Sequence, residues 1–165
     1  MNRTSKAILI CGKICCGKSY YTEALRVREN AVVLSCDEIC FALFDGKLGE
    51  HHDEMTLRIR NYFYEKSLEI LRAGTSVILE WGFWSKADRM AARDFFESRG
   101  IRCEFHYVDV SDEDWAKNIA ERNKKAAEGR CFAYYFDEGL AQKLSGLFEA
   151  PDPSEIDVWH KNARS

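Results

Sequence analysis

The stretch Ala7-Ile8-Leu9-Ile10-Cys11-Gly12-Lys13-Ile14-Cys15-Cys16-Gly17-Lys18-Ser19 decides the fold. Ala7 to Cys11 is an uncharged apolar run of the length of one buried strand, and Gly12 ends it. Gly12, Gly17, Lys18 and Ser19 then complete the spacing G-x-x-x-x-G-K-S, with a helix predicted to open near Lys18. Each residue type answers to a polyphosphate. Glycines let backbone amides turn inward around a β-phosphate, Lys18 reaches the β and γ oxygens, and the Ser19 hydroxyl suits Mg²⁺. Gly12, Lys13, Ile14, Cys15, Cys16, Gly17, Lys18, Ser19 and the adjoining Tyr20 are therefore the nucleotide-binding candidates.

Working outward, further apolar runs at Ala31 to Leu34, Ser76 to Leu79 and Cys103 to Val108 read as buried strands. Thr56 to Ala73 carries Leu57, Tyr64, Leu68 and Leu71 at helical spacing and stops at Gly74. Ser85 with Asp88, and Ser111 with Asp114, are helix-start signals; Leu140, Leu144 and Phe148 mark a last amphipathic helix. Strands that alternate with helices must be parallel and covered on both faces. The expectation is an α/β doubly wound sheet of about five parallel strands, a three-layer sandwich with a small lid over about 117–133. Ligands belong at the carboxyl ends of its strands.

The 165 residues suit one domain, 1–165, and 46% hydrophobic with 31% charged residues is globular usage. A net charge of −3 argues against a broadly basic nucleic-acid binder. Seven cysteines without a CxxC pair point to reduced thiols in the cytoplasm, and no apolar run is long enough for a membrane span. Pro151 and Pro153, the two prolines of the chain, mark a turn into the last segment.

Phosphoryl transfer needs carboxylates at neighbouring strand ends, to orient the acceptor and to hold the metal. Asp37 follows the second strand and Glu80 ends the third; Asp37 is assigned to the acceptor side as base and, with Ser19 and Glu80, to the metal. The plainer reading of Asp37 is a carboxylate at the positive end of a helix. Trp81, Phe83 and Trp84 follow Glu80 and either wall an acceptor pocket or fill the core. Arg89 either meets an acidic acceptor or lines a helix with Arg93. His51-His52-Asp53-Glu54 lacks metal-site spacing and reads as a surface loop near the acceptor. Cys15 and Cys16 sit where a helix N-terminus and Lys18 are expected to lower a thiol pKa and make it oxidisable.

From Ala7 to about Pro153 the chain resembles the small P-loop kinase-like proteins grouped with zeta toxins, chloramphenicol phosphotransferases, gluconate kinases and polynucleotide kinase domains. GKICCGKS, LSCDEICFALF, VILEWGFWSKADRMAAR, HYVDV, AERN and FEAPDP carry the likeness. The resemblance implies a kinase fold using ATP, with Asp37 taking the acceptor hydroxyl and Arg122 of AERN matching a lid arginine. A guanidinium there would neutralise charge spreading over the transferring phosphoryl; the alternative is a solvated helix charge paired nearby. Arg130, beyond the possible hinge Gly129, is a second nucleotide-side candidate. The chain departs from the family at Cys40 and Asn118, where relatives often carry arginine. In polynucleotide kinases the former arginine grips a substrate phosphate, so Cys40 weakens a nucleic-acid acceptor.

The chain thus reads as an ATP- and Mg²⁺-dependent phosphotransferase acting on a hydroxyl of a small molecule. An ATP-hydrolysing switch module that works through a protein partner and a nucleic-acid end kinase are the alternatives. ATP rather than GTP follows from the resemblance, since no Asn-Lys-x-Asp segment is present.

Overall fold

The computed structural model describes residues 4–128 and 138–162. The strands are β1 (Ala7–Cys11), β2 (Ala31–Ser35), β3 (Ser76–Gly82), β4 (Cys103–Asp109) and β5 (Val158–Lys161). They form one sheet in the order β2-β3-β1-β4-β5, and every pairing is parallel. The chain therefore winds outward from β1 in both directions, and that reversal opens a crevice beyond the carboxyl ends of β1 and its neighbours.

β1 is buried throughout, as a central strand must be. Ala7, Leu9 and Cys11 face one core, with Phe63, Leu68, Leu71, Ala92 and Phe96. Ile8 and Ile10 face the other, with Tyr21, Leu25 and Val108. The first core is covered by α3 (His52–Arg72) and α4 (Lys86–Glu97), the second by α1 (Lys18–Glu29). These helices with α2 (Cys36–Phe44), α5 (Asp112–Ala127) and α6 (Glu138–Gly146) complete the expected α/β sandwich. Among the described residues no helix is long and apolar enough to cross a membrane.

The helix-start signals at Ser85 and Ser111 are met by hydrogen bonds: their hydroxyls accept from the amides of Asp88 and Asp114, both at 3.0 to 3.1 Å. Two local expectations change. His51 to Glu54 is the entry into α3 and not a loop, and α3 begins at His52 rather than Thr56. The final helix ends at Gly146, so Phe148 lies beyond it and packs on the core next to Tyr107. Gly129 and Arg130 lie outside the described residues, as does the rest of the 117–133 stretch beyond residue 128.

One irregularity shapes the crevice. Ile10 pairs with Glu80 but Cys11 pairs with Gly82, so Trp81 is the extra residue of a bulge at the end of β3. Regular alternation would send Glu80 and Trp81 to opposite faces. Trp81 packs on the core of Leu79 and Phe83, and both it and Glu80 border the cleft at the strand end.

Candidate active site

Between β1 and α1 the loop Gly12 to Gly17 curls back on itself. Cys16 N donates to Lys13 O at 3.4 Å, and Gly12 N to Gly82 O at 3.0 Å, so the loop is stitched to the end of β3. The amides of Ile14, Cys15 and Gly17 make no protein hydrogen bond among the described residues, which leaves them open to an anion. Gly17 adopts φ 97°, and a Cβ there would run into Asn162 Nδ2. Glycine is required at that position on both counts.

Lys18 Nζ lies across the loop, donating to Lys13 O at 2.7 Å and Gly12 O at 3.1 Å. Ser19 Oγ donates to Glu80 Oε1 at 2.8 Å. Burial holds the Glu80 carboxyl above its ordinary range, and the Ser19 hydrogen bond and the Lys18 charge pull against that. A carboxyl in this state is one that a cation would ionise. Among the described residues no three His, Cys, Asp or Glu side chains gather as a protein-only metal cage. That suits Mg²⁺, which is commonly held by one or two protein oxygens together with phosphates and water. Ser19 and Glu80 are the groups placed to take part.

A cleft of about 1380 Å³ contains Ile14, Cys15, Gly17, Lys18, Ser19 and Tyr20 on one side and Asp37, Trp81 and Trp84 on another. Asp37 is exposed in the first turn of α2, whose cap is Ser35 with its hydroxyl accepting from Glu38 N. It is therefore not spent on capping. Its carboxylate, Glu80, Lys18, Ser19 and Arg122 all border this one space.

α5 is fastened to the phosphate loop along one face. Trp115 Nε1 donates to Ile14 O at 2.7 Å, Asn118 Nδ2 to Cys15 O at 3.0 Å, and Arg122 Nη1 to Cys15 Sγ at 3.5 Å. From the far side Asn162 Nδ2 donates to Cys16 O at 2.8 Å. Glu121 pairs with Lys125, and Arg122 turns its guanidinium to the loop. Asn118 thus holds a loop carbonyl. Trp115 and Asn162 were not legible as loop supports, because an indole or an amide that binds a distant carbonyl leaves no periodic trace in sequence.

Several sequence candidates lie elsewhere. Lys13 points away to Asp112, at 3.3 Å, and over the Trp115 ring, at 4.4 Å. Phe83 is 1% exposed, packed against Trp81 and Phe105, and belongs to the core rather than the cleft. Arg89 is 2% exposed and cannot meet an acceptor: it pairs with Glu155 and donates to the carbonyls of Phe83, Trp84 and Glu149. Its guanidinium ties the C-terminal segment to the β3 exit, the work of a strut. Cys16 is fully buried, and burial pushes its thiol up despite Lys18, contrary to the expectation of an acidic thiol. His52 and Asp53, at the start of α3, do reach the cleft rim.

The AAA domain family profile matches residues 8–131. Solved structures with the same fold include a protein of Chloroflexus aurantiacus J-10-fl provisionally designated a kinase, with TM-score 0.72 and 18% identity over 96% of this chain and 88% of that one. The gluconokinase of Sinorhizobium meliloti 1021 superposes with TM-score 0.69 and 14% identity over 99% of this chain and 86% of its own. The APS kinase of Mycobacterium tuberculosis, solved with AMPPNP and APS, gives 0.65 and 17% over 98% and 91%. No curated protein sequence matches the chain. At these identities the likeness fixes the fold; the activity has to come from the site.

Proposed function

Since the chain belongs to the AAA domain family, in its kinase-like P-loop form, we propose that it is an ATP-dependent phosphotransferase that moves the γ-phosphate to a hydroxyl of a small molecule. The observation that carries the reading is the Ser19–Glu80 hydrogen bond of 2.8 Å, set beside Lys18 and across one cleft from the exposed Asp37. A phosphate-binding loop alone serves many functions. An uncapped carboxylate facing it over an enclosed, partly aromatic space is what transfer to an acceptor requires.

The loop amides and Lys18 bind the polyphosphate, and leaving the two loop carbonyls frees the ammonium to do so. Ser19 and Glu80 would hold Mg²⁺, which would neutralise phosphate charge when bound. Asp37 accepts the proton of the acceptor hydroxyl as the oxygen attacks, while Arg122 balances charge on the equatorial oxygens. Trp81 and Trp84 orient the acceptor and exclude water. Arg122, on the described part of the lid expected over 117–133, lies against the phosphate loop, and 1–165 acts as one catalytic unit. Cys40, 4% exposed, cannot offer its side chain to an acceptor, which favours a small molecule over a nucleic-acid end.

A screen of hydroxyl-bearing metabolites for acceptor-dependent ADP release tests the reading, with two variants alongside. Lys18→Ala loses nucleotide binding or turnover, whereas Asp37→Asn keeps nucleotide binding and loses transfer. Asp37→Asn with undiminished transfer removes the base assignment. ATP hydrolysis that no acceptor stimulates, but that a bound protein does, replaces the kinase by a switch.

A further inference from the structure

Among the described residues, the acceptor half of the cleft holds a cation whose charge no carboxylate has taken. Arg60, on α3, borders the cleft with Asp37, Trp81 and Trp84. Its Nε is shut off from solvent and has no hydrogen-bond partner. Its guanidinium carbon stands 5.9 Å from the centre of the Trp81 ring. It also hydrogen-bonds the thiol of Cys36, the residue before Asp37, but burial keeps that thiol neutral, pushed up to about 12. The thiol is therefore no counter-ion.

The other arginines near the crevice are committed. Arg58 pairs with Glu54, Arg89 with Glu155 and Arg93 with Asp157. Asp37, Glu38 and Asp53 border the same cleft, yet among the described residues no carboxylate comes within 4.0 Å of Arg60. A guanidinium that is partly desolvated, has no carboxylate partner and is backed by an indole is costly unless something anionic arrives. Its planar fork of donors matches a carboxylate, phosphate or sulfate in two parallel hydrogen bonds.

We infer that Arg60 is the specificity residue of the acceptor site and that the acceptor is a hydroxyl compound bearing an oxyanion group. The inference rests on the phosphotransferase reading for the word acceptor, but the oxyanion site itself does not. Arg60 fixes the anionic end while Asp37 meets the hydroxyl, so the substrate spans the cleft between α3 and α2.

The test is protection of Arg60 from phenylglyoxal, read by peptide mass spectrometry with Mg²⁺ and a non-hydrolysable ATP analogue filling the phosphate loop. Inorganic sulfate, glycerate and glucose 6-phosphate are compared with the neutral glycerol and glucose. Anionic probes are expected to slow modification of Arg60 about tenfold or more, the scale of a charge-assisted hydrogen-bonded pair, and neutral ones to leave it unchanged. Equal modification with every probe, or equal protection by the neutral ones, overturns the proposal. Arg60→Gln, checked for an unchanged unfolding midpoint, loses anion-induced thermal stabilisation while keeping that given by the nucleotide analogue; retention of both also overturns it. Because none of these readouts needs turnover, an absence of ADP release in the metabolite screen refutes the kinase reading alone.

Discussion

Replacing Arg89 by methionine separates the two roles that sequence allows it. The guanidinium is 2% exposed and its partner Glu155 13%; the pair is joined at 3.2 Å and 3.4 Å. It further donates to Phe83 O at 3.0 Å, Trp84 O at 3.3 Å and Glu149 O at 3.0 Å. Methionine fills much of the volume but strands a buried carboxylate and three carbonyls. Removing one partner of a buried pair costs about 3–5 kcal/mol, and at about 2–4 °C per kcal/mol the melting midpoint should fall by roughly 10 °C. Part of the loss is the uncompensated charge of Glu155. Adding Glu155→Gln should then return about 1–2 kcal/mol, a coupling that two independent sites do not show. Urea and thermal unfolding of wild type, both single variants and the double variant give the cycle. Nucleotide-analogue affinity, measured well below the midpoint, should stay within about twofold of wild type, since Arg89 does not border the cleft. An Arg89→Met protein of wild-type stability that has lost acceptor-dependent ADP release refutes the strut and restores the arginine to the substrate.

Glu80→Gln leaves the Ser19 hydroxyl a weaker and uncharged acceptor, so Mg²⁺-dependent turnover should drop about 10–100-fold, with a melting midpoint no lower than wild type because a disfavoured buried charge has gone. A turnover rate unchanged by the substitution removes Glu80 from the site. Gly17→Ala forces a left-handed alanine, costing about 1–2 kcal/mol, into the Asn162 amide. Calorimetry should find nucleotide affinity weakened, and partly restored when Asn162→Ala clears the space. His106 is 1% exposed between Tyr21 OH, at 2.8 Å from Nδ1, and Glu104, and burial holds its pKa below the ordinary 6.5. The unfolded chain takes up a proton below pH 6.5 while the folded chain resists it, so stability present above that pH is lost as pH falls. Urea unfolding at pH 7 and pH 5 should differ by about 1 kcal/mol, and His106→Gln should shrink the difference.

The run Ala7 to Cys11 is buried on both faces by being central, and such a strand must be uniformly apolar; that is why one line of sequence sufficed to place β1. The phosphate loop was legible for a related reason: backbone amides do the binding, so the glycine spacing itself is the signal. Ser85 and Ser111 were readable as caps because a cap is a contact between residues three apart. β5 was not, since Val158 to Lys161 is a short edge strand, mostly exposed, and its pairing with β4 is a property of the sheet.

What tertiary structure alone decided is which charges were already spent. Arg60, Arg89 and Arg93 are equivalent in a sequence, each an arginine on a helix with apolar neighbours. Only the fold brings Glu155 and Asp157 from the C-terminal segment to the last two and leaves the first facing the cleft. In the same way only the fold sets Trp81 and Glu80 at the border of one cleft while Phe83 goes to the core. Local contacts over three or four residues can be read along a chain, but the pairing of a charge or the facing of a ring depends on residues some sixty positions away, and those distances exist only once the sheet has closed.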